Sequence, residues 1–143
     1  MFNKILVVCV GNICRSPTGE ALLQKYAPQC VVRSAGVQAM VDKPADSQAQ
    51  AIALQNGVEM AQHIARQLDG AMCHEADLIL VMESSHIRTV EKICPTVRGK
   101  VMLFGQWLSN KEIADPYRRS DEMFALVYQQ IDAAAKKWAE KLH

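Results

Sequence analysis

The chain has 143 residues, 50% of them hydrophobic, and a formal net charge of +1. That length and apolar content suit one domain with a sizeable core, which we expect to span residues 1–143. The near-neutral charge excludes a strong general attraction to nucleic acid or anionic membranes, and no apolar run reaches the ~18 residues that a membrane span needs. We therefore expect a cytoplasmic protein.

The first half of the chain alternates short apolar runs with longer amphipathic stretches. The β-branched run at 5–10 predicts a strand buried on both faces. A helix is expected next, with Ser16 as candidate N-cap and Pro17 in its first turn. The stretch VVRSAG predicts a second strand that ends at a glycine, and ADSQAQAIALQNG predicts a helix capped by Asp46 or Ser47.

The second half continues the alternation. Apolar runs at 76–82 and 100–104 predict two further strands, and the helix SSHIRTVEKIC between them is expected to stop at Pro95. A long terminal helix is predicted by apolar residues at helical spacing, namely Phe124, Val127, Ile131 and Trp138.

Strands that alternate with helices predict an α/β fold, here a single three-layer sandwich with a small, mostly parallel twisted sheet flanked by helices. In such sheets, ligands bind beyond the carboxyl ends of the strands. Cys9 and the stretch that it opens, CVGNICRS, lie at the end of the first predicted strand. We therefore expect the functional site there.

The CVGNICRS loop has the composition of an anion site. A turn that runs from a strand into a helix aims successive backbone N–H groups into one concavity, where phosphate binds. Gly11 can bend there without a Cβ penalty, and Asn12 tolerates a left-handed conformation. Arg15 adds a planar fork that pairs two phosphate oxygens. The loop lacks the glycine and lysine pattern of nucleotide-binding loops.

Cys9, at the base of this loop, is the candidate nucleophile. The groups that hold phosphate also stabilise a thiolate, so an ionised sulfur would lie beneath a bound phosphorus. A cysteine in a buried strand is also common as a small hydrophobe, and the C-x5-R spacing alone means little. Here a preceding strand, an internal Gly-Asn and a following Ser16-Pro17 coincide, which favours phosphoryl transfer.

Asp115 is the candidate acid. Displacement of a phenol or alcohol from phosphorus requires a proton for the leaving oxygen, and Asp115-Pro116-Tyr117 follows the strand at 100–104 after a polar loop. Pro116 biases Asp115 towards an extended conformation, and Tyr117 could form an aromatic wall. Taken alone, this stretch is better explained as an ordinary turn before a helix. Its pairing with the cysteine loop favours the catalytic interpretation.

The cysteines and histidines indicate neither a disulfide framework nor a metal site. The chain has 5 cysteines without a C-x-x-C pair, and its 4 histidines are scattered. We expect no structural metal and no cofactor. Cys30, Cys73 and Cys94 are interpreted as packing residues.

Several stretches, in order along nearly the whole chain, resemble the low-molecular-weight protein tyrosine phosphatases: VCVGNICRSPTGEALL, SAG, HIARQL, DLILVME and DPYRRS. The resemblance is greatest to the bacterial branch associated with exopolysaccharide or capsule export. It implies a metal-independent phosphatase that hydrolyses phosphotyrosine in proteins through a cysteinyl-phosphate intermediate. A bacterial tyrosine autokinase is the partner that it implies, with neither nucleic-acid binding nor membrane insertion.

The resemblance also implies roles for individual residues. Cys9 would attack phosphorus, Arg15 would clamp the equatorial oxygens, and Asp115 would protonate the tyrosine oxygen and then activate water. The residues that form and brace the phosphate loop would be Val10, Gly11, Asn12, Ile13, Cys14, Ser16, Ser34 and His63. The rim that grips the tyrosine ring, above a slot too deep for phosphoserine, would consist of Val10, Ile13, Met40 and Tyr117.

Three further residues carry separate expectations. The resemblance suggests that Cys14 forms a reversible disulfide with Cys9, which would prevent over-oxidation; a small buried apolar residue is the alternative. Arg118 follows Tyr117 where some relatives have a second tyrosine, and would make the rim basic enough to favour acidic or tyrosine-rich phosphopeptides. Gly19 weakens the predicted helix by up to ~1 kcal/mol relative to Ala, unless a close backbone contact requires it.

Arsenate reductase and protein arginine phosphatase of the same fold are the alternative functions. The first needs further cysteines on one short mobile relay segment, whereas Cys73 and Cys94 are 21 positions apart in the sequence, in helical or helix-flanking stretches. The second carries threonine where this chain has Ile13, which lacks the hydroxyl that would help to handle a phosphoramidate. A silent phosphotyrosine-binding module would lack one of the three catalytic residues, and a thiol–disulfide oxidoreductase would need neither the acid nor the arginine.

Overall fold

The computed structural model describes residues 2–142, in which four strands alternate with helices. In chain order the elements are β1 (Lys4–Cys9), α1 (Arg15–Tyr26), β2 (Val31–Gly36), α2 (Ser47–Gln55), α3 (Gly70–Glu75), β3 (Leu78–Val81), α4 (Ser84–Ile93), a 3-10 turn (Pro95–Val97), β4 (Val101–Leu103) and α5 (Asp121–Leu142). The predicted strands and helices are all present, and the short α3 is an addition to them.

The strands form one parallel sheet in the order β2-β1-β3-β4. Central β1 pairs with β2, where Cys9 lies opposite Gly36, and with β3, where Val8 lies opposite Val81. Parallel neighbours require crossover connections, which the helices supply. The predicted α/β class is confirmed, and the sheet of the described residues is parallel throughout.

Helices cover both faces of this sheet and make the predicted three-layer sandwich. Alternate residues of β1 point to opposite faces. Ile5, Val7 and Cys9 join the core cluster that contains residues of α1 and α5, whereas Leu6 and Val8 join the cluster that contains residues of α3 and α4. Within residues 2–142, no helix combines the length and apolar character that crossing a membrane requires.

The two predicted helix caps have different outcomes. Asp46 accepts hydrogen bonds from two backbone N–H groups in the first turn of α2 and is its N-cap, as expected. Ser16 is not the N-cap of α1: that helix begins one residue earlier, after Cys14, without a side-chain cap. The Ser16 hydroxyl instead lies 2.9 Å from the Cys9 thiol. The prediction failed because a tertiary hydrogen bond recruits the hydroxyl that local capping would have used.

Two glycines allow close approaches that position the site. A Cβ on Gly19 would lie 3.1 Å from the side chain of Val7 and 3.2 Å from the ring of Phe104, so α1 packs tightly on the sheet. This is the close contact that the sequence raised as one explanation for a glycine inside a helix. A Cβ on Gly36 would overlap the carbonyl oxygen of Val10, so the end of β2 can lie directly against the CVGNICRS loop.

Candidate active site

The carboxyl end of β1 opens into a pocket to which three separate parts of the chain contribute. Its lining residues are Cys9, Val10, Gly11, Ile13, Cys14, Arg15, Gln38, Met40, Asp115 and Tyr117. The candidate nucleophile, arginine and acid, which are distant in sequence, therefore meet in one cavity. The remaining residues predicted for the site do not line this pocket, namely Asn12, Ser16, Ser34 and His63.

The thiol of Cys9 lies buried at the base of this pocket, with the side chain of Ser16 against it. The two side-chain atoms are 2.9 Å apart, and the backbone N–H of Ser16 donates to the sulfur at 3.4 Å. Ser16 belongs to the first turn of α1, where unpaired N–H groups and the helix dipole favour negative charge. This environment can stabilise a thiolate and an anion bound above it.

Asn12 is the centre of the hydrogen bonds that brace the loop. It adopts the expected left-handed conformation, with φ of 59°. Its side-chain amide donates to the hydroxyls of Ser16 at 2.7 Å and Ser34 at 3.0 Å, and its side-chain oxygen accepts from the backbone N–H of Arg66 at 2.9 Å. The backbone carbonyl of Asn12 lies 2.7 Å from Nε2 of His63. The structure thus brings together all the side chains predicted to brace the loop.

A carboxylate terminates this network. The hydroxyl of Ser34 donates to Glu20 at 2.5 Å, because an ionised carboxylate can only accept. Ser34 and Ser16 both accept from Asn12, so the proton of the Ser16 hydroxyl remains free to point at the sulfur of Cys9. Hydrogen bonds therefore connect Glu20 with the candidate nucleophile through Ser34, Asn12 and Ser16, and the Asn12 amide donates to both serines.

Arg15 is the most completely buried cation of the site, with a side chain that is 2% exposed. Its Nη1 donates to a carboxylate oxygen of Glu83 at 2.5 Å and to the carbonyl of Ile113 at 2.8 Å. A buried charge is tolerated when it is paired and hydrogen-bonded, and these partners also set the direction of the guanidinium. Its Nη2 lies 3.7 Å from Oδ2 of Asp115, so the free edge of the fork faces the pocket.

Asp115 belongs to a turn and to the pocket at once. One carboxylate oxygen accepts a hydrogen bond from the backbone N–H of Tyr117 at 3.0 Å, the signature of an Asx turn around Pro116. The other lies near Arg15, and the side chain is 45% exposed. The turn interpretation and the catalytic interpretation of this stretch are therefore compatible, since the turn is what holds the carboxyl at the pocket.

The predicted rim residues surround the mouth of the pocket. The backbone N–H of Met40 donates to the carbonyl of Gly11 at 3.0 Å, and its side chain is 39% exposed. Val10 and Tyr117 are half-buried, whereas Ile13 is 8% exposed and also belongs to the core cluster. An aliphatic and an aromatic surface thus line the approach to the sulfur.

Sequence reasoning missed Glu20, Glu83 and Gln38. A signal for Glu83 existed, because it follows β3 at the same edge of the sheet as Cys9, where polar residues of parallel strands converge. Glu20 follows Ser16 by one helical turn, which places both on one face of α1. No local pattern indicated Gln38, which reaches the pocket from the loop after β2.

His86 lies buried beside the arginine and its partner. Its Nε2 is 3.6 Å from Oε2 of Glu83, and its Nδ1 has no hydrogen-bond partner within residues 2–142. Burial, followed by the charge of Arg15, lowers the pKa of His86, against the opposing effects of Glu83, Asp115 and Glu112. The imidazole is therefore neutral at neutral pH.

Cys73 and Cys94, the cysteines considered for a redox relay, lie in the other core layer. Both are buried in the cluster that contains Val8 and Val81, and neither lines the pocket. Burial, reinforced by the neighbouring thiol of Cys94, raises the pKa of Cys73 to about 11. These positions are those of packing residues.

Nearly the whole chain is similar to one family of phosphatases. A family model described as low molecular weight phosphotyrosine protein phosphatase matches residues 4–143. AmsI of Erwinia amylovora, a probable low molecular weight protein-tyrosine-phosphatase, is 52% identical over 142 residues, which cover 99% of each chain. The structure of Vibrio vulnificus Wzb in complex with benzylphosphonate matches with a TM-score of 0.97 and 53% identity, over 99% of this chain and 100% of the other.

The arginine phosphatase considered as an alternative is a more distant neighbour. The structure of YwlE arginine phosphatase from Geobacillus stearothermophilus has a TM-score of 0.91 but only 33% identity, over 98% of this chain and 92% of the other. The fold is shared by both activities, whereas the sequence is much more similar to the tyrosine phosphatases.

Proposed function

Since the chain belongs to the low-molecular-weight phosphotyrosine protein phosphatase family, we propose that Cys9, Arg15 and Asp115 carry out its reaction within a single domain spanning 1–143. The protein is a protein-tyrosine phosphatase that acts on protein substrates, as the sequence motifs predicted. The observation that supports the residue assignment is the single cavity that the three side chains line together.

In the first step, the Cys9 thiolate attacks phosphorus from the base of the pocket. A sulfur–phosphorus bond forms as the bond between phosphorus and the tyrosine oxygen breaks, and Asp115 donates its proton to that oxygen. Arg15 and the loop N–H groups bind the other phosphate oxygens as charge develops on them. Because Glu83 and Ile113 hold only Nη1 of the arginine, its other donors are available to phosphate.

In the second step, the Asp115 carboxylate takes a proton from water, which attacks the phosphorus of the cysteinyl phosphate. The sulfur–phosphorus bond breaks, inorganic phosphate forms and Cys9 leaves as a thiolate. The hydroxyl and backbone N–H of Ser16 stabilise that leaving group, since both lie within hydrogen-bond reach of the sulfur. The same contacts therefore serve the nucleophile of the first step and the leaving group of the second.

The depth of the pocket supports selectivity for phosphotyrosine. Cys9 is 3% exposed, while Met40 at the rim is 39% exposed, so a phosphate must reach well below the surface to meet the sulfur. A phosphotyrosine side chain is long enough to do so, whereas phosphoserine is not. Tyr117 supplies an aromatic face on which the ring can pack. The phenol, with a pKa of ~10, is also the better leaving group.

The substrate we propose is a bacterial tyrosine autokinase that controls exopolysaccharide or capsule production, dephosphorylated in the cytoplasm. Support comes from the branch of the family that the motifs resemble and from the full-length similarity to AmsI and Wzb. Incubation with the purified, autophosphorylated kinase of the same organism tests this assignment. Loss of its phosphotyrosine signal is expected with the wild type and not with Cys9→Ser.

Hydrolysis in EDTA tests the activity and the residue roles together. The substrates are an aryl phosphate and peptides with phosphotyrosine, phosphoserine or phosphoarginine. We expect turnover of the aryl and tyrosine substrates only, abolished in Cys9→Ser but not in Cys30→Ser, whose cysteine is buried near the opposite edge of the sheet. Asp115→Asn should lower kcat by ~10²–10⁴-fold. Activity retained by Cys9→Ser refutes the nucleophile, and turnover of phosphoarginine supports the alternative activity.

A further inference from the structure

Arg118 occupies a backbone conformation that its side chain disfavours. The N–H of Arg119 donates to the carbonyl of Pro116 at 2.8 Å, which closes a turn with Tyr117 and Arg118 at its centre. Arg118 has φ of 62°, at the turn position where positive φ normally selects glycine or asparagine. Unfavourable conformations of this kind tend to persist where the side chain has a use.

The conformation places the guanidinium of Arg118 against the wall of the active-site pocket. Its central carbon is 5.2 Å from the centroid of the Tyr117 ring, a cation–π contact, and Tyr117 lines the pocket. Within residues 2–142, no carboxylate forms an ion pair with Arg118. The guanidinium of Arg118 is therefore exposed, held in one orientation and not neutralised, and it lies beside the pocket that a substrate tyrosine enters.

The acidic groups near this turn are engaged elsewhere. Asp115 lies towards Arg15, and Asp121 accepts a hydrogen bond from Gln48 at 2.8 Å. Glu122 is in the first turn of α5, where the helix N-terminus compensates negative charge. The charges that remain available to a substrate at this edge of the pocket are those of Arg118 and its exposed neighbour Arg119, and it is Arg118 that lies against the Tyr117 ring.

We propose that Arg118 is a specificity-determining residue that binds an anionic group on the substrate peptide beside the phosphotyrosine being hydrolysed. The inference rests on the proposed function and narrows its substrate class to peptides with an adjacent acidic residue or a second phosphotyrosine. The planar fork pairs two oxygens at once, which suits either group. A phosphate carries about −1.5 to −2 charges, so a neighbouring phosphotyrosine binds better than a glutamate.

The test compares kcat/KM for peptides that differ only beside the phosphotyrosine, on either side: tyrosine, glutamate or a non-hydrolysable phosphonate analogue of phosphotyrosine. With the wild type we expect the phosphonate neighbour to be preferred about tenfold over tyrosine, with glutamate between them, and the preference to fall with added salt. In Arg118→Gln and Arg118→Gly the preference should disappear. Glycine relieves the positive φ, so the second variant should fold at least as well as the wild type.

Arg98→Gln is the matched control, because Arg98 is exposed and precedes β4 at the opposite edge of the sheet from the pocket. It should keep the wild-type preference. Failure of the wild type to hydrolyse any phosphotyrosine peptide would refute the proposed function itself. Equal kcat/KM for the three wild-type peptides, or a preference that survives in both Arg118 variants, overturns only the role of Arg118.

Discussion

The carboxylate of Glu20 accepts a 2.5 Å hydrogen bond from the hydroxyl of Ser34, a residue of the network that supports Cys9, the candidate nucleophile. The oxygen of Ser34 accepts one amide hydrogen of Asn12, and the other amide hydrogen goes to Ser16. The Ser16 hydroxyl is left to donate to the sulfur. Glu20, a residue of α1 that does not line the pocket, thus anchors one of the two serines that hold the Asn12 amide.

Glu20→Gln should therefore impair catalysis without unfolding the protein. A neutral glutamine amide accepts a weaker hydrogen bond from the Ser34 hydroxyl than the carboxylate does, so Ser34, the Asn12 amide and through them the Ser16 contact with the sulfur should be held less firmly. We expect kcat to fall by about tenfold and the acidic limb of the pH–rate profile to move to higher pH. Glu140→Gln, an exposed position on α5, is the control and should leave both unchanged. An unaltered pH profile in Glu20→Gln would argue against the coupling.

Glu83 should contribute to activity by holding Arg15. Glu83→Ala removes the partner of a side chain that is 2% exposed, so we expect a loss of about 1–3 kcal/mol in unfolding free energy and a fall in kcat of tenfold or more. Glu83→Gln keeps a hydrogen-bond acceptor for Arg15, so its unfolding free energy and its kcat should both fall less than those of the alanine variant. Urea unfolding and steady-state kinetics measure the two effects. Equal kcat for the alanine variant and the wild type would show that Ile113 alone positions the arginine.

Gly19→Ala should destabilise the protein although alanine is the better helix former. The added Cβ would meet Val7 and the ring of Phe104 at 3.1–3.2 Å, and both are fully buried and cannot yield. Overpacking of about 1–3 kcal/mol should outweigh the ~1 kcal/mol gained in helix propensity. Gly70→Ala is the matched control, since a Cβ there meets no atom within 4 Å. Urea midpoints should fall for the first variant and hold or rise for the second.

Stability should decrease as the pH falls, in part because of His86. Burial lowers the pKa of His86 in the folded protein below its usual 6.5. At a pH between the lowered pKa and 6.5, the unfolded chain therefore binds the proton and the folded chain does not. The free energy of unfolding contributed by the neutral imidazole is thus present above pH 6.5 and is lost below it. His86→Gln should show a smaller loss between pH 7.5 and about pH 5 in urea unfolding. Parallel pH dependences for the two proteins would exclude this contribution.

Cys14 should protect Cys9 from irreversible oxidation. Burial, followed by Asp46 and Asp115, raises the pKa of Cys14, which keeps it a thiol in the pocket that it lines with Cys9. Peroxide would convert Cys9 to a sulfenic acid. The Cys14 thiol would then lose its proton and attack the Cys9 sulfur, so that a disulfide forms and the hydroxyl of the sulfenic acid leaves as water. Activity should then return on reduction in the wild type but not in Cys14→Ser. Equal recovery in both would refute the protective disulfide, and Cys30→Ser is the control.

Local sequence patterns determined the elements and indicated the three candidate reactive residues. The apolar run before Cys9 and the Gly-Asn and Arg15 after it define a strand, a turn and a helix start within a few residues of one another. That is enough to predict an anion site, because backbone geometry and composition are local properties. The Asp115-Pro116 pair likewise indicated a candidate acid, although the sequence did not show that its carboxyl lies at the pocket.

Only the tertiary structure decided which groups hold those residues in place. Glu20 reaches Ser34 of the neighbouring strand β2, and Glu83 meets Arg15, because parallel pairing brings the ends of β1, β2 and β3 to one edge of the sheet. The role of Ser16 changed from helix cap to sulfur contact for the same reason. Partners of buried polar groups are set by sheet order and register, which join positions that no local pattern connects.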